Sequence, residues 1–164
     1  MGASKSAKKR EYLALQALGE QLIELSAEQL QSMELDESLF DAVSAAASVK
    51  SRGALRRQCQ LIGKLMRNVD PEPIRLALEA LQRQQKDDKE IFRRAEYWRD
   101  QIVQREHDAL RQFFEMTGHV NGDLSSLLNA YLACPADSAK IALRRKIFRQ
   151  VHEDLSEMVQ NCPG

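Results

Sequence analysis

The sequence predicts an all-α protein of two small helical bundles joined by a long shared helix. Three observations predict it. Apolar residues recur at spacings of three and four in every segment with a readable period. Seven Gly and four Pro among 164 residues supply too little punctuation for an all-β fold, which needs a turn about every ten residues. A breaker-free span, Ile74 to Thr117, carries two apolar seams separated by nine polar residues. A chain of 18.7 kDa has room for one domain or two small subdomains.

The first helix is marked by Tyr12, Leu15, Leu18, Leu22 and Leu25, an apolar stripe at helical spacing. Ser26-Ala27-Glu28-Gln29 fits a capping box and predicts a short second helical piece. Asp36, followed by Glu37 in the favoured acidic first turn, predicts a helix running to about Asn68. Its early part is rich in small residues (Ala42, Ala45, Ala46, Ala47) that permit close helix–helix approach. Asp70-Pro71-Glu72-Pro73 ends one helix and starts the next, because proline suits a first turn and disfavours helix in the residue before it.

Ile74, Leu78 and Leu81 begin a seam that Phe92, Ala95, Trp98 and Ile102 resume. The intervening Gln82 to Glu90 holds good helix formers and no apolar side chain. Such a stretch in a continuing helix is most simply solvent-bridging, and nine residues span roughly 13 Å. The expected boundary lies near residue 86, with bundles at 1–86 and 87–164 and a long helix over about 72–105. Glu106-His107-Asp108 is a candidate kink, after which Leu110, Phe113, Phe114 and Met116 add core. Gly118 to Gly122 reads as a loop, Asp123 as the next N-cap, 124–133 as a helix, and Asp137 or Ser138 as the opening of a last helix to about Val159.

Zero net charge conceals sorted blocks. Residues 5–10 carry +4, residues 11–49 carry −8 without one Lys or Arg, and residues 50–67 carry +6 without an acid. A mixed span follows, then +5 over 140–149 and −3 over 150–164. Local basic surface therefore matters more than the overall balance.

On a helical wheel with Lys50 at zero, Leu61, Ala54, Leu65, Ile62, Leu55, Met66 and Cys59 fall between roughly 20° and 180°. This is the expected buried face, interrupted by Gln58. Lys50, Arg56, Arg57, Gln60, Lys64 and Arg67 fall with Gly53 between roughly 240° and 360°, and Gly63 lies at the margin. Five cations on one arc without a carboxylate repel one another by a few tenths of a kcal/mol per pair. An external polyanion relieves that repulsion. Glycines in or beside the arc let a phosphate or ribose approach the backbone, arginine forks match phosphates, and glutamine can read a base. The competing reading docks this face on the chain's own acidic segment 11–49. A second patch, Lys140, Arg144, Arg145, Lys146 and Arg149, faces outward if Ile141, Ile147, Phe148 and Val151 face a core. With the basic N-terminal run it implies an extended footprint.

The sequence carries no catalytic constellation. GxSxG and HExxH are absent, and Gly63-Lys64 lacks the rest of a P-loop. His107, His119 and His152 follow Gln104, Met116 and Arg149 at three residues, so no Glu-x-x-His metal motif exists. All three read as structural or surface groups, with His119 in its glycine-flanked loop the first to test as a contact. Tyr12, Tyr97 and Trp98 read as core or rim. Cys59, Cys134 and Cys162 are odd in number without CxxC spacing, and read as reduced thiols. The longest apolar run, Ala130 to Cys134, is far below the roughly 20 residues of a spanning helix. Met1 to Ser6 matches the N-myristoylation pattern, a match of little weight. No enzyme, metal, cofactor, small-molecule substrate or membrane is expected.

The string Gly53-Ala54-Leu55-Arg56-Arg57-Gln58-Cys59-Gln60-Leu61-Ile62-Gly63-Lys64-Leu65-Met66-Arg67, followed by Asp70-Pro71-Glu72-Pro73-Ile74-Arg75, resembles the bacterial DarP (dual-action ribosomal maturation protein, or YjgA-like) family. Ser4-Lys5-Ser6 with Lys8, Lys9, Arg10 and Glu11 fits the same pattern, as does Ser138-Ala139 with Arg145, Ile147, Phe148 and Arg149, more loosely. Family members often carry an acidic N-terminal extension that this sequence lacks. The resemblance implies an all-α, non-catalytic cytoplasmic protein associated with late 50S precursors. It further implies a role in maturation of the peptidyl transferase region of 23S rRNA, with ribosomal proteins as neighbours. Under that reading the wheel assigns Arg56, Arg57, Gln60, Lys64 and Arg67 to rRNA contact. The alternative is a helical protein–protein adaptor whose basic faces dock acidic partners.

Overall fold

A computed structural model describes residues 4–161. Cys162 and the first half of the N-terminal acylation pattern, Met1 to Ala3, lie outside the described residues. The elements are α1 (Lys5–Gln21), a 3-10 turn (Leu22–Glu24), α2 (Ala27–Gln31), α3 (Glu37–Ser48), α4 (Arg52–Met66), α5 (Pro71–Thr117), α6 (Gly122–Ala133) and α7 (Asp137–Gln160). The all-α expectation is met, with no strand among the described residues. The chain divides into two units, Met1–Arg83 and Gln84–Gly164, and α5 contributes to both.

In the first unit, local signals start the helices where the side chains demand it. Ser4 accepts from the Ala7 amide, Ser26 and Gln29 form a reciprocal capping box, and Asp36 accepts from the Ser38 amide. Leu22, Leu39, Val43, Ile62 and Met66 are almost completely buried in one cluster. Each of these contributes about 1.5–3 kcal/mol by leaving water. Of the small residues on α3, Ala42 and Ala46 are buried, while Ala45 and Ala47 face solvent.

One boundary differs from expectation. The helix expected from Asp36 to Asn68 is broken at Val49-Lys50-Ser51, which separates α3 from α4. Val49 and Ser51 are extended. The break carries no Gly or Pro, so nothing local announces it. A turn here lets α3 and α4 bury their apolar faces in one cluster, a tertiary gain that overrides local preference.

The second unit begins within α5. Residues 82–90 are helical and fully solvated, as their composition demands. The seam that resumes is Ile91, Ala95, Trp98 and Ile102, not the expected Phe92, which is 48% exposed. The helix runs to residue 105 and reverses at Glu106, which has φ 54° and ψ −129°. Beyond it the chain returns antiparallel. Trp98 meets Phe113 at 5.4 Å between ring centroids, and the Arg94 guanidinium reaches the Met116 sulfur at 3.7 Å. Met116 is therefore at the rim and not in the core. Gly118, at φ 70°, closes α5 in the left-handed region that glycine adopts without penalty.

Asn121, rather than the expected Asp123, caps α6. Its side-chain oxygen accepts from the Asp123 and Leu124 amides, at 3.0 and 3.1 Å, while its amide donates to Asp154 on α7. The buried polar group is thus satisfied on both sides. α7 opens at Asp137 with Ala136 at the cap position. Ile147, Val151 and Leu155 face the core, but Ile141, expected there, is 55% exposed.

Candidate nucleic-acid interface

The α4 surface follows from how that helix is packed. Ile62 and Met66 point inward, and two glycines set how closely α1 can approach. A Cβ at Gly19 would lie 2.5 Å from Ile62 Cγ2 and 3.0 Å from Met66 Cγ. One at Gly63 would lie 3.0 Å from Gln16 Cβ. Gly63 is therefore buried against α1, not open to a ligand as the wheel suggested. Gly53 alone of the two α4 glycines has open space around it. Burial accordingly leans toward Gly63, and Leu61 on the far edge of the expected buried arc is 42% exposed. Gln58 remains within the packed side, and its Oε1 is buried without a hydrogen-bond partner among the described residues.

The opposite side carries the expected cations. Arg56, Arg57, Gln60, Lys64 and Arg67 are all exposed and span twelve residues, about 17 Å along the axis. Among the described residues none of the four cations forms an ion pair. Lys50 is exposed too, but it sits in the α3–α4 turn and so leaves the helical arc to which it was assigned. Arg67 lies over the Tyr12 ring, 4.3 Å from its centroid. Tyr12, 43% exposed, steadies that guanidinium from the first helix, a role that its expected place in core or rim did not include.

The acidic segment 11–49 does not cap this stripe. Glu20 instead accepts from the Gln16 side chain at 2.7 Å and lies beside Cys59. Burial pushes the Cys59 thiol up, and the Glu20 charge and hydrogen bond add to the shift. A raised pKa favours the protonated thiol over the thiolate.

The second patch is built differently. Arg144, Arg145, Lys146 and Arg149 are exposed on α7, and Lys140 is half-buried with its ammonium 5.5 Å from the Tyr131 ring centroid. Asp100 on α5 accepts from Arg99 at 2.9 Å and from Arg144 at 2.8 Å. The Arg99 hydrogen bond holds the Asp100 carboxyl below the usual carboxylate range against the opposing effect of burial, with Arg144 adding to it. Between α5 and α7 lies a groove of about 610 Å³ floored by Phe92, Ile141 and Phe148. The sequence reading missed it because it placed all three on a core face. The exposed Phe92 one position beside Ile91 was the available signal.

Among the described residues no cluster of three or more His, Cys, Asp or Glu could hold a metal ion, and no helix is long and apolar enough to cross a membrane. His107 hydrogen-bonds Asn129 at 3.0 Å, and His119 is exposed in its loop.

Two helical units, each presenting exposed cations, define an all-α protein. The family model described as "Dual-action ribosomal maturation protein DarP" matches residues 1–152, and the chain belongs to this family of ribosomal maturation proteins. A DarP of Thiobacillus denitrificans is 36% identical over 97% of this chain and 88% of its own length. Those of Pasteurella multocida and Nitrosospira multiformis are each 34% identical, over 95% and 98% of this chain and 84% and 87% of their own lengths.

Proposed function

We propose that this chain is a non-catalytic assembly factor of the cytoplasm that binds 23S rRNA in the late 50S precursor and promotes maturation of the peptidyl transferase region. Membership of a ribosomal maturation family supplies the process. The observation that carries the RNA reading is the α4 face, where Arg56, Arg57, Lys64 and Arg67 stand exposed and, among the described residues, form no ion pair with a carboxylate. Among the described residues no carboxylate pairs with them, and rRNA phosphates would supply the counter-charge. Gln60 adds a side chain that can hydrogen-bond a base edge, and Lys50 adds a cation from the neighbouring turn. Two functional domains, 1–86 and 87–164, each carry one basic surface, the second built from Lys140, Arg144, Arg145, Lys146 and Arg149. Ribosomal proteins beside the bound rRNA are further neighbours.

Promotion without catalysis requires tighter binding to one rRNA arrangement than to another, which shifts the population toward the preferred one. Structured rRNA is held by phosphate contacts and shape more than by base identity. The experiment is co-sedimentation with large-subunit precursors. Replacing Arg57 and Lys64 by Glu lowers association by about tenfold or more at moderate salt, with helicity unchanged. Undiminished co-sedimentation of that variant rejects the α4 face as the interface.

A further inference from the structure

We propose that the groove between α5 and α7 accepts an unpaired nucleotide of RNA, the base lying on Phe92 and the flanking phosphates on Arg145 and Arg149. The inference rests on the RNA-binding reading above and adds which kind of RNA the second unit takes.

The floor of the groove supplies a stacking surface. Phe92 is 48% exposed and meets Phe148 edge to face, with ring centroids 5.0 Å apart and planes at 64°. Ile141, 55% exposed, extends that apolar surface. Flat bases are sequence-tolerant partners for an open aromatic ring. At about 610 Å³ the groove has room for a nucleotide, which a duplex, with its bases stacked inside, does not present.

The rim supplies selective charge. Arg99 and Arg144 are both engaged by Asp100. Arg145 and Arg149, which also line the groove, form no ion pair among the described residues and remain free for phosphate. Glu96 lines the α5 side. A carboxylate there repels an acidic peptide, yet it accepts hydrogen bonds from the exocyclic amino groups of bases. Along α7, apolar Ile141 is followed by Arg144 and Arg145, then by Phe148 and Arg149. That alternation suits a strand in which bases and phosphates alternate better than it suits the continuous apolar stripe of a docking helix.

The test titrates the full chain with an end-labelled single-stranded oligoribonucleotide of about ten nucleotides and with a blunt duplex of equal length, at one fixed salt concentration. Phe92→Ala is expected to weaken single-strand binding at least about fivefold, the lower end for one stacked base, and to leave duplex binding unchanged. Phe92→Trp retains single-strand binding, and Arg149→Glu weakens it without touching the core. Equal losses on both probes, or no loss with Phe92→Ala, overturn the proposal. So does displacement of the single strand by an acidic helical peptide but not by unlabelled RNA. The Arg57→Glu, Lys64→Glu variant reports the first reading separately, because it lowers duplex binding and leaves the Phe92 effect in place. Wild-type chain that binds neither probe overturns both.

Discussion

The two basic surfaces of this protein are similarly cationic in sequence and unlike in construction. Among the described residues the α4 cations pair with no carboxylate, and the Arg67 guanidinium rests on the Tyr12 ring. At the α7 patch an acid from α5 has been built in, and Asp100 engages Arg144 together with Arg99 beside an apolar floor. The first arrangement maximises field and leaves side chains free to follow a phosphate backbone. The second gives up part of its charge to fix guanidinium positions around a groove. A count of Lys and Arg does not distinguish them; the placement of one aspartate does.

The difference has a measurable form in salt dependence. Binding to duplex RNA through α4 loses about one unit of log–log slope for each phosphate contact removed. Arg57→Glu with Lys64→Glu should therefore flatten the slope by about two. Arg145→Glu with Arg149→Glu should flatten the duplex slope by less, because those side chains border a groove suited to unpaired nucleotides. Titration at four or five salt concentrations checks this. Equal flattening by both pairs would show the two surfaces to be interchangeable patches of charge.

Packing sharpens the comparison next. In an exposed helix Gly→Ala gains up to about 1 kcal/mol of stability, which is the expectation for Gly53→Ala, where the added Cβ meets only Ser51 Oγ at 4.0 Å. At Gly19 the same Cβ would press on Ile62 and Met66. The overpacking cost of about 1–3 kcal/mol outweighs the propensity gain, so Gly19→Ala destabilises. Gly63→Ala falls between, since Gln16 needs to yield by only a few tenths of an ångström. Chemical denaturation of the three variants should rank them in that order. A stabilised Gly19→Ala would mean that α1 does not lie close enough to α4 to set which of its faces stays open.

What the sequence revealed and what it concealed divide along the same physical line. Caps, prolines and charge sorting act locally, so Ser26, Asp36, Pro71 and the α4 cations were legible. The α3–α4 break was not, because Val49-Lys50-Ser51 contains no breaker and owes its conformation to the packing of the flanking helices. Gly63 was read as open and is buried, since a wheel gives the angle of a residue but not the tilt of the neighbour that leans on it. Phe92 and Ile141 were read as core because seam spacing tolerates an error of one position, and that error hid a groove. Tyr12 was read as core or rim, but its partner Arg67 lies 55 residues away and no local pattern links them.

The smallest expected effect probes the built-in acid itself. Asp100 is held below the usual carboxylate range, first by the Arg99 hydrogen bond and then by Arg144. A carboxyl more acidic when folded than when unfolded contributes stability that is fully present above its unfolded value, about 3.9. That contribution is lost as pH falls through the lower folded value. Its side chain is 39% exposed, so solvent screening keeps the contribution below about 1 kcal/mol. Asp100→Asn should thus be slightly less stable than wild type at pH 7, and the gap in Tm should close on acidification below about pH 4. The same substitution releases Arg99 and Arg144 to the groove, which should tighten single-strand binding while it loosens the fold. A Tm gap independent of pH would assign the loss to shape rather than charge, and Asp100 would no longer account for the difference between the two basic surfaces.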